Sequence, residues 1–367
     1  MGFKCGIVGL PNVGKSTLFN ALTKTAAAQA ANYPFCTIEP NTGEIAVPDL
    51  RMEKIASIAG SKEIVPTRIN FVDIAGLVKG ASKGEGLGNK FLANIREVNA
   101  IVHVLRCFQN EDITHVEGRI DPVCDAKTVE TELMLADLES LERRIVQIRK
   151  QATGKDKEAF IILPIMEKAL NILQQGNPVR LLFKNIPPDE HHILKSLNLL
   201  TSKPVLYVCN VSENDAAHGN SFTQTIEKMA IEQSTQSIII SASIEAEITQ
   251  LSDTEASEYL NALGLFEPSL NRLIRAGYHL LDLITYFTCG PKETRAWTIT
   301  RGTKAPQAAG IIHSDFERGF IRAQTISYND YIALGGESGA KEAGKARDEG
   351  KEYIVQDGDI MLFKHNT

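Results

Sequence analysis

Short apolar segments alternate with helical patterns along most of the chain. The segments show little alternation between apolar and polar positions, which is typical of strands covered on both faces of a sheet. We predict strands at residues 3–8, 68–73, 100–107, 204–210 and 237–242. Strands that alternate with helices predict an α/β fold with a doubly wound, mainly parallel sheet. In such a sheet, ligands bind at the carboxyl ends of the strands.

A helical stretch interrupts this pattern at about residues 127–200. Apolar residues recur there at alternating four- and three-residue steps, in two segments that flank Gly154-Lys155-Asp156. The two stripes consist of Met134, Leu138, Leu141, Ile145 and Ile148, and of Ile162, Met166, Ala169 and Leu173. Two stripes around a glycine-containing turn predict an antiparallel helical hairpin.

Basic residues surround the tip of the predicted hairpin. They are Arg143, Arg144, Arg149, Lys150, Lys155 and Lys157. Either they form a basic arm that contacts RNA or a ribosomal surface, or they are the solvated face of a helix pair. Sequence alone leaves both interpretations open.

The pattern changes again beyond residues 265–268. We predict short strands at residues 281–287, 295–300, 310–313 and 353–363, with a glycine-rich segment at 335–350. These elements predict a small mixed domain, in which Trp297 is a core residue.

The segment that carries the chemistry is GLPNVGKST at residues 9–17, which fits the pattern G-x-x-x-x-G-K-[ST]. A predicted strand precedes it and a helical pattern follows it, which is the context of a phosphate-binding loop. The backbone N–H groups of such a loop and the positive end of its helix converge on phosphates. We expect Lys15 to neutralise the β- and γ-phosphates and the Ser16 hydroxyl to ligate Mg²⁺. The nucleotide-contacting residues expected in this loop are Asn12, Val13, Gly14, Lys15, Ser16 and Thr17.

Two later loops have residues suited to sensing the γ-phosphate. Thr37 lies in a proline-punctuated loop, where it either adds its hydroxyl to the Mg²⁺ shell or is an ordinary loop threonine. Asp73 ends a predicted strand, and Gly76 follows in a D-x-x-G pattern. We expect Asp73 to hold Mg²⁺ and the Gly76 N–H to bond the γ-phosphate, so that this loop responds to hydrolysis.

The residue after the D-x-x-G pattern is Leu77. Signalling GTPases have a glutamine there that orients the attacking water, and a leucine side chain cannot form that hydrogen bond. We therefore expect slow intrinsic hydrolysis unless another group places the water. The glycine-rich segment at residues 77–90 is the predicted switch.

The nucleobase motif is degenerate. Asn210-Val211-Ser212-Glu213 stands where a guanine-specific protein has N-K-x-D, and Ser241 ends the next predicted strand. Val211 replaces the lysine, and Glu213 is one methylene longer than the aspartate that pairs with guanine. A site without that bidentate pair loses most of its guanine preference. Backbone groups near Asn210 and Val211 are then expected to recognise adenine, unless the segment is a turn with no contact to the base.

Composition narrows the class of protein. The 367 residues are 43% hydrophobic, and the formal net charge of −6 argues against coating nucleic acid by bulk charge. The six cysteines are scattered without a C-x-x-C pair, which indicates a reducing, cytoplasmic location. We expect no signal peptide and no membrane partner, since no apolar run is long enough to span a bilayer.

Together these motifs resemble the Obg-related, YchF-type P-loop NTPases, including their eukaryotic Obg-like ATPase members. The resemblance is carried by residues 9–17, 32–41, 73–90, 210–213, 295–299 and 316–323. It implies a Ras-like nucleotide-binding domain at residues 1–126 and 201–280, a coiled-coil insertion at 127–200 and a β-grasp TGS domain at 281–367. It also implies a preference for ATP and an association with ribosomes and with translation or stress regulation.

The resemblance adds hypotheses about hydrolysis. Asn12 matches the P-loop asparagine that holds K⁺ in potassium-stimulated relatives. His115 lies in a polar loop after a predicted strand and is our candidate for orienting water in place of the missing glutamine. The alternative is an exposed loop histidine. His103, inside an apolar segment, is predicted to be a satisfied core histidine.

Overall fold

A computed structural model describes residues 3–32, 41–74, 87–110 and 119–366. Its strands are β1 (Lys4–Val8), β2 (Thr42–Ala46), β3 (Glu63–Val65), β4 (Arg68–Asp73), β5 (Ala100–Arg106), β6 (Val205–Asn210), β7 (Gln236–Ile240), β8 (Leu283–Cys289), β9 (Glu293–Thr300), β10 (Phe320–Ile326), β11 (Arg347–Glu349) and β12 (Ile360–His365). Within these described ranges, no helix is both long and apolar enough to cross a bilayer.

Helices lie between most of these strands. They are α1 (Lys15–Asn32), α2 (Arg51–Ala59), α3 (Leu87–Glu97), α4 (Pro122–Thr153), α5 (Lys157–Gln174), α6 (His191–Ser196), α7 (Ser221–Glu232), α8 (Ala242–Ile248), α9 (Asp253–Ala262), α10 (Ser269–Leu280), α11 (Ala305–Ile312), α12 (Ser314–Arg318), α13 (Tyr328–Ala333) and α14 (Glu337–Glu342).

The first sheet has the strand order β2-β4-β1-β5-β6-β7. All neighbouring strands in it are parallel except β2 and β4. Strands β1, β5 and β6 are buried almost throughout, which explains why their sequences are apolar runs without alternation. The predicted mainly parallel α/β sheet is confirmed. Because the strands are parallel, the loops after β1, β4, β5, β6 and β7 meet at one edge.

Helices α4 and α5 form an insertion between β5 and β6. Asp121 accepts a hydrogen bond from the N–H of Cys124 and caps α4, and Asp156 caps α5 through the N–H groups of Glu158 and Ala159. The residues of both predicted stripes belong to one hydrophobic cluster with short 3-10 turns and α6. The stripes are thus the packing faces of the two helices.

The second sheet has the strand order β11-β10-β12-β8-β9-β3. Its edge strand β3 comes from the amino-terminal part of the chain and pairs in parallel with β9. Helix α2 accompanies it, with Met52 and Ile55 packed against Phe287 and Ala296. Residues 51–65 therefore pack with the carboxyl-terminal sheet, although they fall within residues 1–126.

Two predictions in the carboxyl-terminal region are wrong. Residues 310–313 are not a strand, since they mostly lie in α11, which begins with a proline in its first turn and buries Ala305, Ala308 and Ala309 on one face. Only the end of the segment 353–363 is a strand, because a turn at Gln356–Asp359 precedes β12. Trp297 is partly buried and packs against a core cluster, as expected.

Candidate nucleotide-binding site

The glycine-rich loop joins β1 to α1, as the sequence predicts. Gly14 has φ 91°, and a Cβ at this position would overlap the Asn210 side-chain amide, so only glycine fits. A Cβ at Gly9 would lie 2.7 Å from the carbonyl oxygen of Val104. Both glycines thus allow the loop to approach neighbouring strands closely. The first turn of α1 directs its N–H groups into the same loop.

Asn210 connects the phosphate loop to the end of the sheet. Its amide nitrogen donates to the carbonyl oxygen of Val13 at 2.9 Å, and its amide oxygen accepts from the N–H of Ala242 at 3.0 Å. Only 5% of the residue is exposed. Since both ends of the amide are paired within the protein, Asn210 positions three loops relative to one another.

The backbone beside Asn210 is also paired. The N–H of Val211 donates to the carbonyl oxygen of Ile240 at 2.8 Å, and the carbonyl oxygen of Asn210 accepts from the N–H of Cys107 at 2.8 Å. Both groups belong to the stretch near Asn210 and Val211 whose backbone the sequence analysis expects to recognise adenine. Base recognition through the Val211 N–H would require this bond to break.

Lys15 and Asp73 form an ion pair across the mouth of the loop. Lys15 begins α1 and Asp73 ends β4, so the two side chains reach the same point from neighbouring elements. The exposed Ser16 and Thr17 follow Lys15 in the first helical turn. A cation and a carboxylate therefore meet where a loop of this type holds phosphate, and two hydroxyl-bearing residues follow next in the chain.

This donor set fits Mg²⁺ bound together with a nucleotide. Mg²⁺ usually keeps several waters and takes one or two protein ligands beside phosphate oxygens, a demand that Ser16 and Asp73 meet. No group of three or more histidine, cysteine or acidic residues that could hold a metal is present in the part of the chain that the structure describes. Such a group is not required when phosphates complete the coordination.

A cavity of about 700 Å³ opens beside the phosphate loop. Its size suits a nucleotide, because small-molecule pockets measure roughly 300–1,000 Å³. The predicted site residues that line it are Asn12, Gly14, Thr17, Asn210, Val211 and Glu213. Ser241, by contrast, is buried behind the cavity, where its hydroxyl bonds that of Ser243 at 2.9 Å.

Phe108, Gln109 and Asn110 also line the cavity, and sequence reasoning missed them. Their loop is shaped by Arg106, whose guanidinium donates to the carbonyl oxygens of Phe108 at 3.3 Å and Asn110 at 3.0 Å. Arg106 is 1% exposed, and its burial lowers the pKa while nearby Asp125 raises it. The sequence did contain a signal for this loop, namely a charged residue at the end of an apolar strand. A buried charge needs hydrogen-bond partners, and the loop that follows the strand can supply them.

His103 is a core residue, as predicted, but it is not a satisfied one. Burial, and next the charge of Arg180, lower its pKa to about 3, so the ring is neutral. Its Nε2 atom has no hydrogen-bond partner among the described residues. Thr37, Gly76, Leu77 and His115 lie outside the described residues, and their predicted roles remain predictions.

Half of the basic set at the hairpin tip is engaged within the insertion. Arg143 pairs with Glu139, Arg149 pairs with Glu167, and Arg144 donates to the carbonyl oxygen of Leu197 at 2.8 Å. Lys150, Lys155 and Lys157 form no ion pair with any residue that the structure describes. These three lysines are the remaining candidates for contact with an anionic partner.

The strand order, the phosphate loop and the cavity at the strand ends define a P-loop, GTPase-like α/β protein. A family model described as a 50S ribosome-binding GTPase matches residues 4–137. A second model, named for the carboxyl-terminal part of YchF GTPases and described as a protein of unknown function, matches residues 283–366.

Full-length relatives are more specific. The chain is 57% identical over 367 residues to the "Ribosome-binding ATPase YchF" of Haemophilus influenzae and 52% identical over 369 residues to that of Bacillus subtilis, and each match covers both chains completely. The chain therefore belongs to the YchF family.

Comparison with solved structures supports the same family and fold. The Schizosaccharomyces pombe YchF GTPase superposes with a TM-score of 0.88 at 40% identity, covering 99% of this chain and 98% of that one. A GTP-binding protein from Pyrococcus horikoshii superposes with a TM-score of 0.64 at 18% identity, covering 99% and 100%, and indicates the fold alone.

We predict that Asn210→Ala weakens nucleotide binding about tenfold or more, because the phosphate loop and the α8 loop lose their shared partner. Equilibrium titration with a fluorescent nucleotide measures the change. Asn261→Ala, at an exposed position on α9, is the control and should bind like the parent. Unchanged affinity in Asn210→Ala would show that the loops hold their geometry without this amide.

Proposed function

We propose that this chain is a cytoplasmic, Mg²⁺-dependent ATPase that hydrolyses ATP to ADP as a nucleotide-dependent switch, binds ribosomes and modulates translation or a stress response. Full-length relatives named ribosome-binding ATPases support both parts of the proposal. The observation that carries it is the cavity in which the phosphate loop and the degenerate base motif meet at one sheet edge, next to the ion pair of Lys15 and Asp73.

The preference for ATP rests on residues 210–213. The names of relatives differ on this point, since bacterial ones are called ATPases and the fission yeast structure is called a GTPase. Val211 lines the cavity and is 2% exposed, so an apolar side chain stands where guanine sites have a lysine. Glu213 is exposed in a short 3-10 turn at the cavity edge. We infer that this surface does not rebuild the bidentate pair that guanine needs.

In the proposed mechanism, the protein stabilises negative charge on the phosphates and positions the attacking water. Lys15 leaves Asp73 for the β- and γ-phosphates, and Asp73 together with Ser16 would hold Mg²⁺. The ion, when bound, supplies positive charge to the phosphate oxygens. The attacking water approaches in line with the bond that breaks, and the phosphate-loop N–H groups stabilise the developing charge. We assign Thr37 and Gly76 to loops that are released when the γ-phosphate leaves.

Two further roles remain part of the proposal. Asn12 has φ 63°, an unusual conformation for a side-chain-bearing residue, and it lines the cavity, which supports a K⁺ site beside the phosphates. Equal hydrolysis rates in Na⁺ and K⁺ contradict that role. His115 is assigned to orient water in place of the glutamine that Leu77 replaces. A His115→Ala variant that hydrolyses ATP at the parent rate contradicts that assignment.

We propose that the tip of the insertion contacts the ribosome or its RNA. Lys150, Lys155 and Lys157 support this, because unpaired surface cations are available to phosphates. Replacing all three with glutamate should weaken cosedimentation with ribosomes severalfold. A matched triple charge reversal at Lys54, Lys62 and Lys228, which are remote from the tip, should leave it unchanged.

The proposed domains follow the family pattern. We assign residues 1–126 and 201–280 to the nucleotide-binding domain, 127–200 to the coiled-coil insertion and 281–367 to a β-grasp TGS domain. Packing of α2 and β3 on the second sheet adds residues 51–65 to the structural unit of the last domain.

Base preference is tested by restoring the missing pair. The parent chain should bind ATP more tightly than GTP, and Val211→Lys combined with Glu213→Asp should shift the affinity ratio toward GTP by about tenfold or more. Calorimetric titration with both nucleotides measures the ratio. Val211→Ala with Glu213→Gln is the control, since it alters the same surface without restoring the pair. A parent chain that favours GTP is a GTPase, which is the alternative.

Hydrolysis is tested through Lys15. We expect Lys15→Ala to reduce kcat/KM for ATP by roughly 10²-fold or more, because the cation at the transferred phosphate is lost. Lys24→Ala, exposed on the same helix, should retain the parent rate.

Nucleotide binding by Lys15→Ala must be measured separately by equilibrium titration. If the variant still binds nucleotide, fails to hydrolyse it and nevertheless supports cellular function, the chain is a nucleotide-stabilised ribosome adaptor rather than a switch.

A further inference from the structure

A second cleft lies at the opposite edge of the first sheet. Its volume is about 770 Å³, similar to that of the nucleotide cavity. Phe3, Asn99, Pro204 and Thr235 line it, and each immediately precedes a parallel strand. The cleft is therefore at the amino ends of the strands, a full strand length away from the phosphate loop. Its other walls are the base of the helical insertion and the end of α10.

Three ammonium groups face this cleft without a carboxylate partner. Lys184 donates to the hydroxyl of Ser234, and Lys203 donates to the carbonyl oxygens of Arg96 at 3.0 Å and Val98 at 2.5 Å. Lys195 is exposed on α6. None of the three lies within ion-pairing distance of a carboxylate among the described residues, whereas their neighbour Arg180 pairs with Glu130.

The remaining charges do not cancel this positive potential. Asp282 is the one acidic residue that lines the cleft within the described ranges, and it is already paired with Arg301. Burial lowers the pKa of Lys203 and the charge of Asp137 raises it, with burial the larger of the two effects. The cleft is thus a concave surface on which lysine side chains outnumber acidic ones.

The walls of the cleft are held by buried polar bonds. Asp137 of α4 accepts from the N–H groups of Leu200 and Thr201, each at 2.8 Å, and fixes the segment that enters β6. Gln233 accepts from Arg180 at 2.7 Å and from the hydroxyl of Tyr207 at 2.8 Å. These bonds join the insertion to the sheet, so the walls of the cleft hold their relative positions without a ligand.

We propose that this cleft binds a phosphate-bearing ligand of about mononucleotide size, at a site distinct from the phosphate-loop cavity. Lysine ammonium groups bind phosphate as point charges, and three of them suit a doubly or triply charged group. Phe3, Phe183 and Leu281 supply an apolar wall for the rest of the molecule. The phosphate belongs either to a free small molecule or to a phosphodiester of RNA.

The test uses the full-length chain with its phosphate loop saturated with Mg²⁺ and ADP, and titrates pyrophosphate or a short single-stranded RNA by calorimetry. Lys184→Glu combined with Lys195→Glu should weaken binding about tenfold or more, since both side chains are exposed and face the ligand. Lys54→Glu combined with Lys228→Glu makes the same charge change on α2 and α7, outside the cleft, and should bind like the parent.

Two measurements show whether a loss of binding arises in the cleft rather than from damage to the nucleotide site or from misfolding. The cleft variant should keep the parent rate of ATP hydrolysis and the parent Tm. Saturable binding of pyrophosphate that the cleft variant loses indicates a small-molecule site, and binding of RNA alone that the variant loses indicates a phosphodiester ligand. If the parent binds neither probe, or if cleft and control variants bind equally, the proposal is wrong.

Discussion

The amide of Asn210 is the contact on which the nucleotide cavity depends. A buried amide has a donor and an acceptor that must both be paired, and here Val13 and Ala242 pair them. One side chain therefore sets the spacing between the phosphate loop, the end of β6 and the start of α8. Gly14 belongs to the same arrangement, because the amide occupies the space that any larger residue would need.

Much of the fold could be predicted because buried parallel strands are apolar runs. The bounds of β4 were predicted fully, and those of β1, β5, β6 and β7 within two residues. Elements with mixed patterns were harder. Strand β10 combines buried Phe320 with exposed Ile321 and Arg322, and β3 has only three residues. Residues 310–313 have an apolar sequence that fits either a strand or the last turn of a helix. They continue α11, because Ala305, Ala308 and Ala309 before them recur at helical spacing and are buried on one face.

The candidate site was predictable where a motif fixes the backbone and less so where side chains meet from distant segments. The glycine pattern identified the phosphate loop, and Asp73 was expected beside it. No local pattern indicates that Lys15 pairs with Asp73, or that Arg106 arranges the loop at Phe108. The nucleobase motif at residues 210–213 shows most clearly how far the sequence predicts the site. Asn210, Val211 and Glu213 line the cavity, yet the Val211 N–H, one of the backbone groups near the expected adenine contact, is already paired with the carbonyl oxygen of Ile240.

The edge strand β3 has a consequence for how the chain folds during synthesis. Its partner β9 lies far downstream, and the hydroxyl of Ser61 accordingly donates to a carbonyl oxygen 229 residues away, at Gly290. During translation, residues 51–65 emerge from the ribosome well before β9. Until β9 is synthesised, β3 has an unpaired edge and the apolar face of α2 is not covered. Unpaired edges of this kind promote aggregation of nascent chains. Strand β3 thus gains its partner only after β9 has left the ribosome.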